Sequence, residues 1–271
     1  MKKWLVTVVA VAALGLVSAS ADVTVVQTMT MEGPAAAMAG GMLPRITMRI
    51  KGQKSRADVE VKGQTISSIA DIGTGQMIML NTATRTATVT TPASAAAGVP
   101  VDMPKMEISF KPTGKTQSIG GQRCEEHAIM MSVAMAELAG RGQVPPETAS
   151  AMQDVKMVMN GSIWIARSGP GAAEFAAFSK AALDSKLLGA LTGMPSGTSG
   201  PMEKMMQASA SAPGLPYLAE VTMTLEGSGP MVEAMNQMGP MKMVQKISSV
   251  STDLLGDELF VIPEGYTVEK K

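Results

Sequence analysis

The chain has 271 residues, 45% of them hydrophobic, which excludes a mainly disordered protein; 23 basic residues balance 23 acidic ones. That balance supplies no electrostatic drive toward nucleic acid or an anionic membrane surface. A single cysteine, Cys124, excludes an intrachain disulfide, and with a single histidine, His127, most thiol, imidazole and zinc chemistry lacks its groups.

Met1 to Ala21 reads as an export signal. Lys2 and Lys3 open it, an apolar run spans Trp4 to Val17, and Ala19-Ser20-Ala21 has the small-x-small form of a cleavage site. The run is too short for a spanning helix. No cysteine stands near the cleavage site, so a lipid-modified N-terminus is not expected. The expected product is periplasmic or secreted, carries no transmembrane segment after cleavage, and forms one domain over residues 22–271.

Strict alternation then begins. In Arg45 to Lys51, Ile46, Met48 and Ile50 share one side, and Arg56 to Lys62 repeats the pattern after a Lys51-Gly52-Gln53 turn. A period of two predicts antiparallel strands with one wet and one covered face. Further strands are predicted over Thr65 to Ala70, Gln76 to Asn81 and Arg85 to Thr91, joined by short turns as a meander. Pro92 to Pro104 is a small-residue loop. Strands resume at Met106 to Lys111, at Lys115 to Ile119 after a Pro112-Thr113-Gly114 turn, and at Gln122 to Val133. Residues 134–155 read as an insertion with a short helix and a Pro145-Pro146 break. Asn160-Gly161 predicts a hairpin between Val155 to Asn160 and Ser162 to Arg167.

Residues 171–193 are rich in Ala, Leu, Lys and Glu, with Leu183, Leu187 and Leu191 spaced at four, and predict a helix. Thr192 to Pro216 reads as a loop with a short helix near Met202 to Ala208. Strands return at Ala219 to Glu226 and Met241 to Thr252. With aromatics at 3% and 26 methionines, methionine and β-branched residues are expected to fill the core.

The chemistry-bearing residues are few. Cys124 and His127 lie three apart on a predicted strand and so point to opposite faces, which leaves neither a shared metal nor an activated nucleophile. A half-buried cysteine and a surface histidine are expected. Glu125 and Glu126 are adjacent, which separates them as an acid/base pair. No phosphate loop, zinc spacing or dinucleotide fingerprint occurs. Methionine pairs at i, i+2 recur at Met29/Met31, Met77/Met79, Met157/Met159 and Met241/Met243. Thioethers are soft ligands for monovalent copper, yet this spacing is also what any apolar strand face shows. No residue is therefore assigned to a metal, and no cofactor is expected.

Several short segments resemble a secreted bacterial family known as domain of unknown function 4412: Lys54 to Glu60, Ile69-Ala70-Asp71, Met79-Leu80-Asn81, Pro112 to Thr116, Ile119 to Glu126, Ile163-Trp164-Ile165 and Ile262 to Tyr266. That family is similar to the lipoprotein-carrier fold of the LolA, LolB and LppX type. The resemblance implies an α+β, mainly antiparallel fold: a curved half-barrel sheet of about ten strands with a helix on its concave face, and insertions at 134–155 and 171–216. It implies a carrier-like scaffold without catalytic residues. The expected function is non-catalytic binding of an apolar ligand, an acyl chain, lipid or lipidated protein, with Phe175, Phe178, Met157 and Met159 in the cavity lining. The alternatives are a Met-rich copper-binding protein and a structural or interaction module with no small ligand.

Nothing near Cys124 in sequence stabilises a thiolate, so native protein should react with thiol reagents at least about a hundredfold more slowly than unfolded protein. Alkylation followed by mass spectrometry at neutral pH checks this, and equal rates would count against it.

Overall fold

The computed structural model describes residues 22–33, 36, 43–91, 106–136, 154–185 and 212–270. The alternating stretches become strands β1 (Val23–Glu32), β2 (Arg45–Lys51), β3 (Lys54–Val61), β4 (Gln64–Asp71), β5 (Gln76–Asn81) and β6 (Thr86–Thr90). They continue as β7 (Met106–Ile119), β8 (Gln122–Ala134), β9 (Lys156–Ala166), β10 (Leu215–Glu226), β11 (Met241–Ser251) and β12 (Thr267–Lys270). The helices are α1 (Ala172–Asp184) and α2 (Pro230–Met238), with a 3-10 turn at Asp257–Phe260. All twelve strands form one open, curled sheet in the order β12-β6-β5-β4-β3-β2-β1-β11-β10-β9-β8-β7. Every pairing is antiparallel except β12 on β6. Among the described residues no helix is long and apolar enough to cross a membrane.

The meander from β2 to β6 follows the predicted strands to within two residues. Two predicted turns are not turns. Pro112-Thr113-Gly114 lies inside β7, where the register against β8 slips between Pro112 and Thr116. β7 is an edge strand, so the missing N–H of Pro112 costs no ladder bond. The hydroxyl of Thr113 donates to the Glu126 carboxylate at 2.6 Å and pins the irregularity. Asn160-Gly161 is likewise continuous strand in β9. A Cβ at Gly161 would lie 1.9 Å from the Glu220 carbonyl oxygen and 2.8 Å from Val221 Cα. The glycine therefore serves close approach of β10, not a bend. α1 occupies the first part of the predicted 171–193 helix; residues 186–193 lie outside the described residues, as do the export signal, residues 137–153 of the predicted 134–155 insertion and the predicted helix near Met202. α2 has no counterpart among the predicted elements.

Two buried clusters hold the sheet. The larger joins Val23, Val25, Ile50, Cys124, Trp164, Leu215 and Tyr217, and the helix α1 packs Phe175 and Phe178 against it. Gly171, at φ 72°, lets α1 start hard against β1, where a Cβ would meet Val23 Cγ2 at 2.2 Å. The smaller cluster places Ile69, Ile78, Leu80, Ala87 and Val89 under Phe260, with Leu255, Leu259, Ile262 and Tyr266 around it. Methionine does not fill these cores as composition suggests: Met77 is the one methionine among the buried hydrophobic residues described.

A polar cluster ties the C-terminal segment to β2 and β3. Asp58 bonds the guanidinium of Arg49 and, at 2.8 Å, that of Arg56. Arg49 and Arg56 face each other across the β2–β3 ladder, so Asp58 offsets a repulsive pair. Arg56 also donates to the Leu259 carbonyl at 3.1 Å and to the fully buried Ser67 at 3.3 Å. Lys51 reaches the Leu255 carbonyl at 2.6 Å and Asp257 at 2.9 Å, while Asp22 accepts from the Leu255 N–H at 2.7 Å. Burial works to raise the Asp58 pKa; hydrogen bonds from Ser67, Arg56 and Arg49 outweigh it and leave the carboxyl below its ordinary range.

Gly161→Ala is expected to cost about 3 kcal/mol through overpacking, read as a lower urea midpoint; unchanged stability would show that β9 and β10 have room to part. Because the Asp58 pKa is lower folded than unfolded, its charge stabilises the fold above about pH 4, and that contribution fades as pH falls through the native value. Asp58→Asn should lose about 2 kcal/mol at pH 7 and should flatten the acid limb of the stability profile. An acid limb as steep as the parent's would exclude Asp58 as a contributor to it.

Candidate functional site

Residues directly paired across a sheet project from the same face, on strands about 4.8 Å apart. From β11 to β7 the ladder places Met241, Met223, Met159, Met131 and Ile108 in one row. The row beside it, from β10 to β7, holds Leu225, Met157, Val133 and Met106. The row on the other side holds Met31, Met243, Val221, Gly161, Ile129 and Phe110. Apart from Val133, these side chains are half-buried rather than buried. The opposite face is mixed: Lys242 bonds Glu220 at 2.7 Å and approaches Glu32 at 3.8 Å, and Ser132 bonds Glu107 at 3.4 Å, beside the buried Val158 and the exposed Met130. The period of two thus yields a methionine-rich wall backed by a face that carries ion pairs.

At one end of this wall lies a cavity of about 390 Å³, lined by Met135, Met157, Met223, Thr224, Leu225 and Met241, with Asn236, Gly239 and Pro240 from α2 and the turn after it. Apolar side chains dominate the lining, and Thr224 and Asn236 are its side-chain polar groups. Four thioethers meet there. Among the described residues no carboxylate, thiol or imidazole lines it. Among the described residues no three His, Cys, Asp or Glu side chains gather to hold a metal.

Of the predicted lining residues, Met157 is in this cavity and Met159 sits next to Met223 in the neighbouring row. Phe175 and Phe178 are elsewhere, packed on the cluster around Trp164. Met157 and Trp164 stand seven positions apart along β9, about 23 Å of strand, so the phenylalanines and the cavity methionines are not brought together. Sequence reasoning misses Met135, Met223, Leu225 and Met241 as a group. Alternation marks Met223 and Leu225 as one face, but the pairing of β10 with both β9 and β11 is not written in any local pattern.

Cys124 and His127 do point to opposite faces. Cys124 is fully buried beside Trp164 and Tyr217, and burial pushes its thiol pKa up, only partly offset by a backbone hydrogen bond from Ile119. His127, expected at the surface, is only 3% exposed. Its ring stacks on Phe110, centroids 5.0 Å apart and planes 10° from parallel, and Nδ1 has no hydrogen-bond partner among the described residues. Phe110, on the neighbouring strand β7, lies over the ring and shields it from solvent. The two glutamates are separated as predicted, Glu125 toward Arg167 at 2.9 Å and Glu126 toward Lys115 at 3.2 Å.

No family model matches the chain, and no curated protein does. A solved structure described as an uncharacterised conserved protein from Thermus thermophilus is similar to it over 93% of this chain and 91% of that one, with 6% identity and a TM-score of 0.39.

Proposed function

We propose that the protein is an exported, non-catalytic binder of an apolar ligand, an acyl chain, lipid or lipidated partner, which it holds against the methionine wall. The observation that carries this reading is the 390 Å³ cavity with four methionines in its lining. Its volume lies in the range of small-ligand sites, about 300–1,000 Å³, and its lining matches their apolar character. Unbranched, polarizable side chains adapt to a flexible chain better than stiff branched ones. The half-barrel architecture with α1 on the concave face, the likeness to the domain of unknown function 4412 family and the carrier fold, and periplasmic residence are parts of the same proposal. An open, curled antiparallel sheet with α1 packed on its larger cluster supports the architectural part.

Native mass spectrometry of protein recovered from the periplasm of its own host should show a co-purifying lipid or acyl species. Met223→Trp, which fills the cavity, should remove that species while leaving the circular dichroism spectrum unchanged. A bare mass for the parent protein sinks the carrier reading and leaves an interaction module. A ligand retained in full by the filled variant places binding elsewhere.

A further inference from the structure

The geometry points to a second use of the same sulfur atoms: a site for a monovalent soft cation, copper(I), held by the thioethers of Met157, Met223 and Met241 with Met135 completing the set. Met223 and Met241 are a direct cross-strand pair, with Cα atoms about 5 Å apart. Met157 is the diagonal neighbour of Met223 across β9 and β10, about 7 Å away. All four line one cavity. A methionine side chain turns about three bonds beyond Cα, so sulfurs carried at these spacings can converge on one ion. Such a set selects by softness, since neutral thioethers suit copper(I) and offer little to zinc or magnesium. Among the described residues no carboxylate lines the cavity to balance a divalent charge, so a monovalent ion costs least to bury.

Packing alone does not account for the sulfur. Among the described residues the buried clusters are built mainly from Val, Ile, Leu, Ala and aromatics, with Met48 packed at the border of the larger one, so few of the methionines serve as their filler. An apolar wall would form equally from leucine, yet methionine recurs at directly paired positions on four adjacent strands. The site needs neither Cys124, which lies in the larger cluster, nor His127, which is four residues from Met131 along β8 and about 13 Å of strand away. This inference does not rest on the apolar-ligand reading. Lipid is detected as a co-purifying mass and copper by competition, so either can fail alone.

The test titrates metal-free protein anaerobically with copper(I) against a chromophoric copper(I) chelator, and records X-ray absorption at the copper edge. One copper per chain with a sulfur-only shell is expected. Met223→Leu/Met241→Leu, which conserves volume and should keep the melting temperature, is expected to weaken binding by at least about tenfold, the loss of roughly 1.4 kcal/mol. Met79→Leu, on β5, should leave affinity unchanged. Failure to take copper from the chelator, a shell containing nitrogen, or full affinity in the double variant overturns the proposal. Should the double variant not fold, Met157→Leu is read instead, with the same loss expected and full affinity again overturning it.

Discussion

Strand β1 pairs along both edges, with β2 over Val23–Thr28 and with β11 over Thr24–Glu32, and that double pairing makes one sheet out of two halves. On one side lies the local meander β2 to β6; on the other lie β11 to β7. The joining strand carries Val23 and Val25 into the larger cluster, where they meet Ile50 from one half and Leu215 and Trp164 from the other. Gln27 and Gln245 add a side-chain bond of 2.6 Å across the same seam. Without β1 each half would present a long open edge, which is a site of misassociation rather than a stable boundary.

The apolar residues divide into two populations with different physical roles. Branched aliphatics and aromatics occupy the buried clusters, where fixed rotamers and dense packing give stability. Methionines recur at half-buried positions on the β7–β11 wall, and their unbranched side chains are more adaptable than branched ones. Charges follow the same division. Half-buried Asp58 neutralises two arginines and helps tie the C-terminal segment to the meander, whereas Lys242, Glu220 and Glu32 lie on the outer side of the wall at modest energetic value.

Much of the architecture is legible in the residues because a strand announces itself locally. Ile46, Met48 and Ile50 alternate, and so do Ala219, Val221, Met223 and Leu225; each becomes a strand for the reason the alternation gives. Asn160-Gly161 misleads because the same glycine that permits a tight turn also permits two backbones to touch, and only the neighbouring strand decides which. Pro112-Thr113-Gly114 misleads similarly: an edge strand tolerates what a central strand would not. The site is half legible. Met157 and Met159 can be named from spacing, but their neighbours Met223 and Met241 lie more than sixty residues away in sequence, and register between distant strands is a tertiary fact. Helix periodicity shows that the face carrying Phe175 and Phe178 is apolar without showing that it covers the cluster around Trp164. His127 looks like a surface residue in sequence because Phe110, which covers it, lies on a different strand.

The central position of β1 also governs the order in which the molecule can form. Partners such as Gln27 and Gln245 are 218 residues apart. A chain emerging from its N-terminus first can assemble the β2–β6 hairpins as they appear, because those contacts are local. The second flank of β1 must wait until β11 has been made, and closing so long a loop carries a large entropic cost before any bond repays it. During that interval β1 is a half-paired strand with free N–H and C=O groups. Completion of the sheet is therefore a late, slow event in the life of each molecule, and changes in β11 that delay pairing act on yield as well as on equilibrium stability.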